Sequence, residues 1–276
     1  MAQPFRINTA VGPLNVRTTG DGPPALLWHS LFVDERSWQR VETQLARDRR
    51  LILITGPGHG TSGDLGRRYT LDECAAAAAA VLDTWGIDQP VDWLGNAWGG
   101  HVGVVFAATW PARCRTLVTL GAPVQALNRV ERARTLFLLA AFRLFGLRKF
   151  IVDGVAKVLL SPHTVAHDPE AVSLVKDCLQ QADPTRLRNA VVSISLRRPD
   201  LFDRLAGISA PTLFITGSHH EGWTPEQAAA ASQLLAHGST AVVDNAAYLE
   251  PLENPGATVS YVRQFWAANV LRSGPG

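Results

Sequence analysis

At 276 residues, 46% of them hydrophobic, the chain can bury one large core with a modest insertion, and its charge of +2 gives no bulk reason to expect nucleic acid or an anionic membrane as partner. Three widely spaced cysteines, Cys74, Cys114 and Cys178, fit reduced thiols better than a disulfide framework. No basic-then-apolar leader opens the chain and no apolar run nears the roughly 20 residues of a membrane span, so a cytoplasmic protein is expected. The first elements read as paired strands over residues 5–9 and 14–18, with Gly12-Pro13 in the turn. A buried strand over 25–29, an amphipathic helix over 37–47, a strand over 51–55 and an Ala-rich helix over 71–85 follow. Strand 91–94, a helix beginning near 98 and strand 116–120 continue the alternation, which resumes with strand 212–216, helix 225–237, strand 240–243 and helix 256–271. Such alternation predicts an α/β fold with a mostly parallel central sheet flanked by helices.

Residues 124–208 break the pattern. Helices are expected over 126–145, 150–160, 169–181 and 185–195, with no strand between them, which predicts a helical cap inserted between core segments 1–123 and 209–276. The run Leu136-Phe137-Leu138-Leu139-Ala140-Ala141-Phe142 is too apolar around its circumference for a helix with one solvent face. Either that helix is packed on both sides, or its inner face lines an apolar ligand pocket.

The chemistry concentrates in loops that follow strands. After Val91-Asp92-Trp93-Leu94 comes Gly95-Asn96-Ala97-Trp98-Gly99-Gly100 and then another apolar stretch. Strand, glycine-pinched turn and helix in that order form a nucleophile elbow, whose middle residue should be Ser, Cys or Asp. Here it is Ala97, which can attack nothing. Trp28-His29-Ser30-Leu31-Phe32 follows the third strand and Gly56-Pro57-Gly58-His59-Gly60-Thr61-Ser62 the fourth. The stretch Asn245 to Pro255 follows the last.

Together these four stretches resemble the α/β-hydrolase superfamily over nearly the whole chain. The Pro-Gly-His-Gly-x-Ser string and the Gly-Asn-x-x-Gly-Gly elbow are similar to its esterase, lactonase and carbon–carbon bond hydrolase branches. The resemblance places the nucleophile at Ala97 and the base, five residues before Glu253, at Tyr248, where the family has His. It places the acid just after strand 212–216, at His220 counting forward from Gly217 or at Glu221 counting back from Pro225. Oxyanion donors fall on the backbone N–H groups of Leu31 and Trp98, and Ser30, His29, Asn96 and Trp223 complete the expected binding set.

Ordinary ester hydrolysis does not fit these substitutions, since removing a whole triad costs a well-studied protease about a millionfold in turnover. A phenol titrating near 10 is a poor base at neutral pH but can donate a hydrogen bond or a proton. An oxyanion hole, by contrast, survives the loss of side chains and holds an enolate as readily as a tetrahedral intermediate. The expected function is therefore non-hydrolytic acid–base chemistry on a small apolar carbonyl compound: decarboxylation, lyase, isomerisation or cyclisation, with Tyr248 as acid or orienting donor and His220 or Glu221 its partner. Relatives of this fold, methylketone synthases with Ala at the elbow among them, decarboxylate β-keto acids. The alternatives are a ligand-binding pseudoenzyme, or a serine hydrolase with an engineered Ala97; a trapping change would leave Tyr248 unexplained.

His29 and His59 also read as loop-holding groups, and His163 and His167 as surface residues. His219-His220-Glu221 is a poor metal set, because adjacent residues rarely ligate together without partners elsewhere, and no phosphate-binding glycine loop is present. No metal, cofactor, nucleic acid or membrane partner is expected, and a homodimer is left open.

Overall fold

The computed structural model describes residues 5–270. In chain order the elements are β1 (Phe5–Thr9), β2 (Gly12–Thr19), β3 (Pro24–Trp28), α1 (Gln39–Leu45), β4 (Arg50–Thr55), α2 (Leu71–Thr84), β5 (Val91–Asn96), α3 (Trp98–Thr109) and β6 (Cys114–Leu120). Six helices come before the next strand: α4 (Arg129–Phe145), α5 (Lys149–Leu159), α6 (Pro162–His167), α7 (Pro169–Gln181), α8 (Pro184–Val191) and α9 (Phe202–Leu205). The sheet is completed by β7 (Thr212–Gly217) and β8 (Gly238–Val243), with α10 (Pro225–Ser232) between them and α11 (Glu250–Glu253) and α12 (Pro255–Val270) after.

The strands form one sheet in the order β1-β2-β4-β3-β5-β6-β7-β8. Pairs β1–β2 and β2–β4 are antiparallel and all others parallel. Parallel strands covered on both faces read as continuous apolar runs, as in Leu51-Ile52-Leu53-Ile54. The period of two then sorts them: Leu26, Trp28, Ile52 and Ile54 enter one core, Ala25, Leu27, Leu51 and Leu53 the other. Near the start of β5, the fully buried Asp92 carboxylate accepts from Arg49 Nε at 2.6 Å, Arg115 Nε at 2.9 Å and Thr116 Oγ1 at 2.7 Å. Two guanidinium groups offset the cost of burying that charge, and the Arg49 guanidinium also lies 4.9 Å above the Trp266 ring. This anchors the strand that carries the elbow.

Several expected boundaries move. The helix expected over 37–47 opens as a 3₁₀ turn, Glu35–Trp38, because the Asp34 side chain caps Arg36 N–H. The helix expected to reach 237 ends at Ser232, since the chain must turn back for Gly238 to pair with Thr212. The segment expected over 185–195 divides into α8 and a π-helical turn, Val192–Leu196. Helix α6 was not expected, although Ser161 as N-cap followed by Pro162 is a start signal. Residue 271, the expected end of the last helix, lies outside the described residues.

Helix α4 is not packed on both sides. Phe142 is buried and Leu138 and Leu139 are half-buried, while Val130, Ala133, Phe137, Ala140 and Leu144 stay exposed.

Candidate active site

Parallel strands bring the loops after β3, β4, β5, β6, β7 and β8 to one edge of the sheet, where a site can be assembled from several of them. Ala97 joins β5 to α3 at φ 45°, ψ −102°, a conformation costly for any residue with a Cβ. Its N–H donates to Leu120 O at 2.7 Å, and Ala97 O accepts from His101 N–H at 3.0 Å. The turn closes only around glycine: a Cβ on Gly95 would stand 2.2 Å from Gly99 C, and one on Gly99 would stand 1.9 Å from Trp28 O. Among the described non-glycine residues only Phe32, Ala97 and Asn245 have positive φ. They lie in the loops after β3, β5 and β8, so backbone strain coincides with three of the four motifs.

Gly99 N–H donates to His29 O at 3.2 Å, docking the start of α3 against the loop that carries Leu31. Trp98 is the first residue of α3, so its N–H has no acceptor within the helix. Its indole is a core group, edge-on to Trp28 and His29 with centroids 5.5 Å away, 5.1 Å from His59 and stacked on Tyr69 at 6.2 Å. Only its backbone can face a ligand's oxygen.

The His29 imidazole is committed on both nitrogens. His29 Nε2 accepts from Gly56 N–H at 2.8 Å, so Nδ1 carries the proton and donates to Ser30 O at 2.7 Å. Burial pushes His29 below the usual histidine value, and His59, buried beside it, down to about 3. Ser30 Oγ donates to Leu31 O at 3.3 Å. These side chains shape the loop.

His220 and Glu221 part company. His220 is buried at the end of β7; its Nδ1 accepts from Gly222 N–H at 3.1 Å, which leaves Nε2–H to face Gly121 O at 3.3 Å. Desolvation lowers its pKa to about 4, so it is neutral, with its one proton on Nε2 facing Gly121 O and its lone pair on Nδ1 taken by Gly222 N–H. Glu221 points outward to an exposed ion pair with Arg134 at 3.3 Å. His219 is exposed as well, so the three consecutive residues do not converge on a metal.

Tyr248 is half-buried, and its ring lies on that of His220 with centroids 3.8 Å apart. Of the two expected partners, His220 meets Tyr248 through its ring face, and Glu221 pairs with Arg134 while its charge still acts on the phenol. A Cβ on Gly222 would stand 3.1 Å from Glu131 Oε1 and 3.9 Å from Tyr248 Oη, so those two groups converge over Gly222. Burial, with Glu221 and Glu131 nearby, raises the phenol above its ordinary value and keeps it protonated.

Asn96 is a clamp: its Nδ2 lies 3.1 Å from Leu120 O, 2.9 Å from Tyr248 O and 3.1 Å from Glu250 Oε2. Trp223 is fully buried and packs edge-on to Phe214 at 5.9 Å, a core residue rather than a pocket wall.

Three groups escaped the sequence reading. Glu131 enters through the Asn128–Glu131 capping box of α4, a pattern that marks a helix start and by itself says nothing of a site. Glu250 is fully buried, and burial raises its carboxyl well above the ordinary value. Arg198 is 6% exposed with no carboxylate in ion-pair range among the described residues, and desolvation lowers it to about 10. Its Nη1 donates to Pro123 O at 2.8 Å, the same carbonyl that His101 Nε2 meets at 3.0 Å. A lone Arg beside Arg197 and Pro199 reads as surface, so no sequence signal marks it.

A 34% identical stretch of 112 residues, 39% of this chain, matches 40% of a 2-hydroxy-6-oxo-2,4-heptadienoate hydrolase of Pseudomonas putida. A 2-hydroxy-6-oxononadienedioate/2-hydroxy-6-oxononatrienedioate hydrolase of Klebsiella pneumoniae is 28% identical over 207 residues, 72% of this chain and 67% of that protein. Among solved structures, a thermophilic esterase from Thermogutta terrifontis superposes with TM-score 0.88 at 23% identity, over 97% of this chain and 99% of that one, a likeness of fold. Residues 23–161 match the family model for the alpha/beta hydrolase fold, and the chain belongs to that family.

Proposed function

We propose that this α/β-hydrolase-fold chain catalyses non-hydrolytic acid–base chemistry on a small apolar carbonyl compound. The observation that carries the reading is the pairing of an elbow strained around a methyl group with a neutral imidazole whose two nitrogens are both held by backbone. Neither a nucleophile nor a base to activate one is present at the matching positions. Two elements of catalysis remain. The N–H groups of Leu31 and Trp98 would receive a carbonyl oxygen as it gains negative charge, a contribution of about 3–4 kcal/mol per donor in a well-studied case. Tyr248, held protonated, would then deliver a proton to the enolate carbon or to a leaving oxygen and regain it from solvent. Decarboxylation forms such an enolate directly as CO2 leaves; retro-aldol cleavage, isomerisation and enolate cyclisation reach it only when the substrate loses a proton, which water would accept in this site. Residues 124–208 act as the cap over this site, with Phe32 of the β3 loop edge-on to Phe142 of α4 at 6.5 Å.

The test is conversion. The protein is incubated with a panel of β-keto acids, β-hydroxy ketones and unsaturated ketones, and products are followed by mass. A new product whose formation Tyr248→Phe slows supports the reading. Tight binding of a panel member with no conversion would instead support the second reading, a ligand-binding protein, which the locked histidines also favour.

A further inference from the structure

The exposed apolar face of α4 has a regular spacing. Val130, Ala133, Phe137, Ala140 and Leu144 recur every three or four residues, a single stripe along the helix. Phe137 is 78% exposed and Leu144 73%. At the turn into α5 the stripe meets Phe145 and Phe150, both exposed, whose rings pack edge-on with centroids 5.7 Å apart. The two helices and the turn between them carry Arg129, Arg132, Arg134, Arg143, Arg148, Lys149 and Lys157, all exposed, against Glu131 and Asp153. Residues 129–159 thus hold a net +5 in a chain whose total is +2, and the bulk value hides the patch. Arg129, Arg143, Arg148 and Lys157 form no ion pair among the described residues.

We propose that the α4–α5 hairpin docks onto an anionic lipid surface, with Leu144, Phe145 and Phe150 entering the headgroup region and the flanking cations on lipid phosphates. Phe and Leu on one face with Arg and Lys beside them is the composition of a helix that lies in a membrane interface without spanning it. A second copy of this chain is disfavoured as the occupant, because a twofold contact would set one +5 patch against another. The hairpin leads to the candidate site: Leu159 O, at the end of α5, accepts the N–H of Tyr248 at 3.2 Å. The docking does not depend on which reaction the site performs.

The experiment is flotation of the full chain with vesicles of phosphatidylcholine alone or mixed with phosphatidylglycerol. Binding to the mixed vesicles alone, released by salt, is expected. R143Q/R148Q/K149Q should weaken it by about a hundredfold, each cation near an anionic surface contributing about fivefold. L144S/F145S/F150S should also abolish flotation, with circular dichroism unchanged. No flotation with anionic vesicles at low salt would overturn the proposal, as would equal binding to both vesicle types. A dimer by light scattering that the serine variant dissolves, with no vesicle binding, would assign the face to a second copy and overturn it too.

Discussion

The phenol ring of Tyr248 lies across the imidazole of His220, centroids 3.8 Å apart and planes inclined by 39°, with no hydrogen bond between the two side chains. In a working triad these positions would be joined by a hydrogen bond through which the acid orients the base. Here the imidazole is bonded to backbone on both nitrogens and the phenol leans over it towards Gly222 and Glu131. This stacking decides what a restored nucleophile could achieve.

Ala97→Ser should not create an esterase. The elbow would present the hydroxyl, but no group at position 248 could take its proton. Turnover of activated esters by A97S is expected to stay at background, and A97S/Y248H to rise only modestly because His220 offers no carboxylate to orient the new imidazole. Adding His220→Asp should give the largest step, recovering part of the roughly millionfold that a complete triad supplies. Ester hydrolysis assays on the three variants check the order; robust activity from A97S alone would refute the non-hydrolytic reading.

Tyr248→Phe removes one oxygen and keeps the ring on His220. Turnover of a converted substrate should fall by about 10²–10⁴-fold, the range for loss of a positioned proton donor, with little change in thermal stability. Its pH profile is informative as well. Because burial raises the phenol above its ordinary value, the acid form persists through neutral pH, and wild-type activity should decline only in strongly alkaline solution. A wild-type profile falling near pH 7 would point to another acid.

The frame was legible because it is local. Period-two burial in β3 and β4 and the glycines at 95 and 99 each act within a few residues, so strands and elbow stand where the sequence put them. The site's electrostatics were less so. Glu221 meets Arg134, 87 residues away, and the buried Glu250 meets Asn96, 154 residues away, contacts that no local pattern marks. A charged residue in a loop reads as solvated until the fold surrounds it. The exposed stripe of α4 escaped for the opposite reason: apolar periodicity marks a face, not what covers it.

Gly99→Ala tests the elbow's packing. Its Cβ would stand 1.9 Å from Trp28 O and 2.6 Å from Trp28 C, backbone atoms of a central strand that cannot yield. A loss of about 3 kcal/mol or more, the upper end for overpacking, is expected in denaturant melts, or failure to accumulate as folded protein. Gly154→Ala, with no heavy atom within 4 Å of the added methyl, is the control. As a helical, exposed position it should gain up to about 1 kcal/mol. Equal effects of the two changes would mean that the elbow is looser than its geometry implies.

Glu250→Gln should stabilise the protein at neutral pH. Desolvation raises this carboxyl in the folded state, whereas in the unfolded chain it ionises near its ordinary value of 4.5. Whatever the protonated form contributes is therefore fully present below that pH and is lost as pH rises towards the folded value. Four buried histidines act in the other direction: His29, His59, His101 and His220 are all lowered by burial, so their contribution is lost as pH falls below the ordinary 6.5. Comparing E250Q with the wild type at each pH cancels the histidines and leaves the carboxyl. The difference in Tm should be near zero at pH 4 and widen through pH 8, by roughly 2–4 °C for each kcal/mol relieved. The amide keeps the shape and the oxygen that faces Asn96, so a difference that is constant across pH would mean that Glu250 is ionised in the native state and held by charge rather than by its proton.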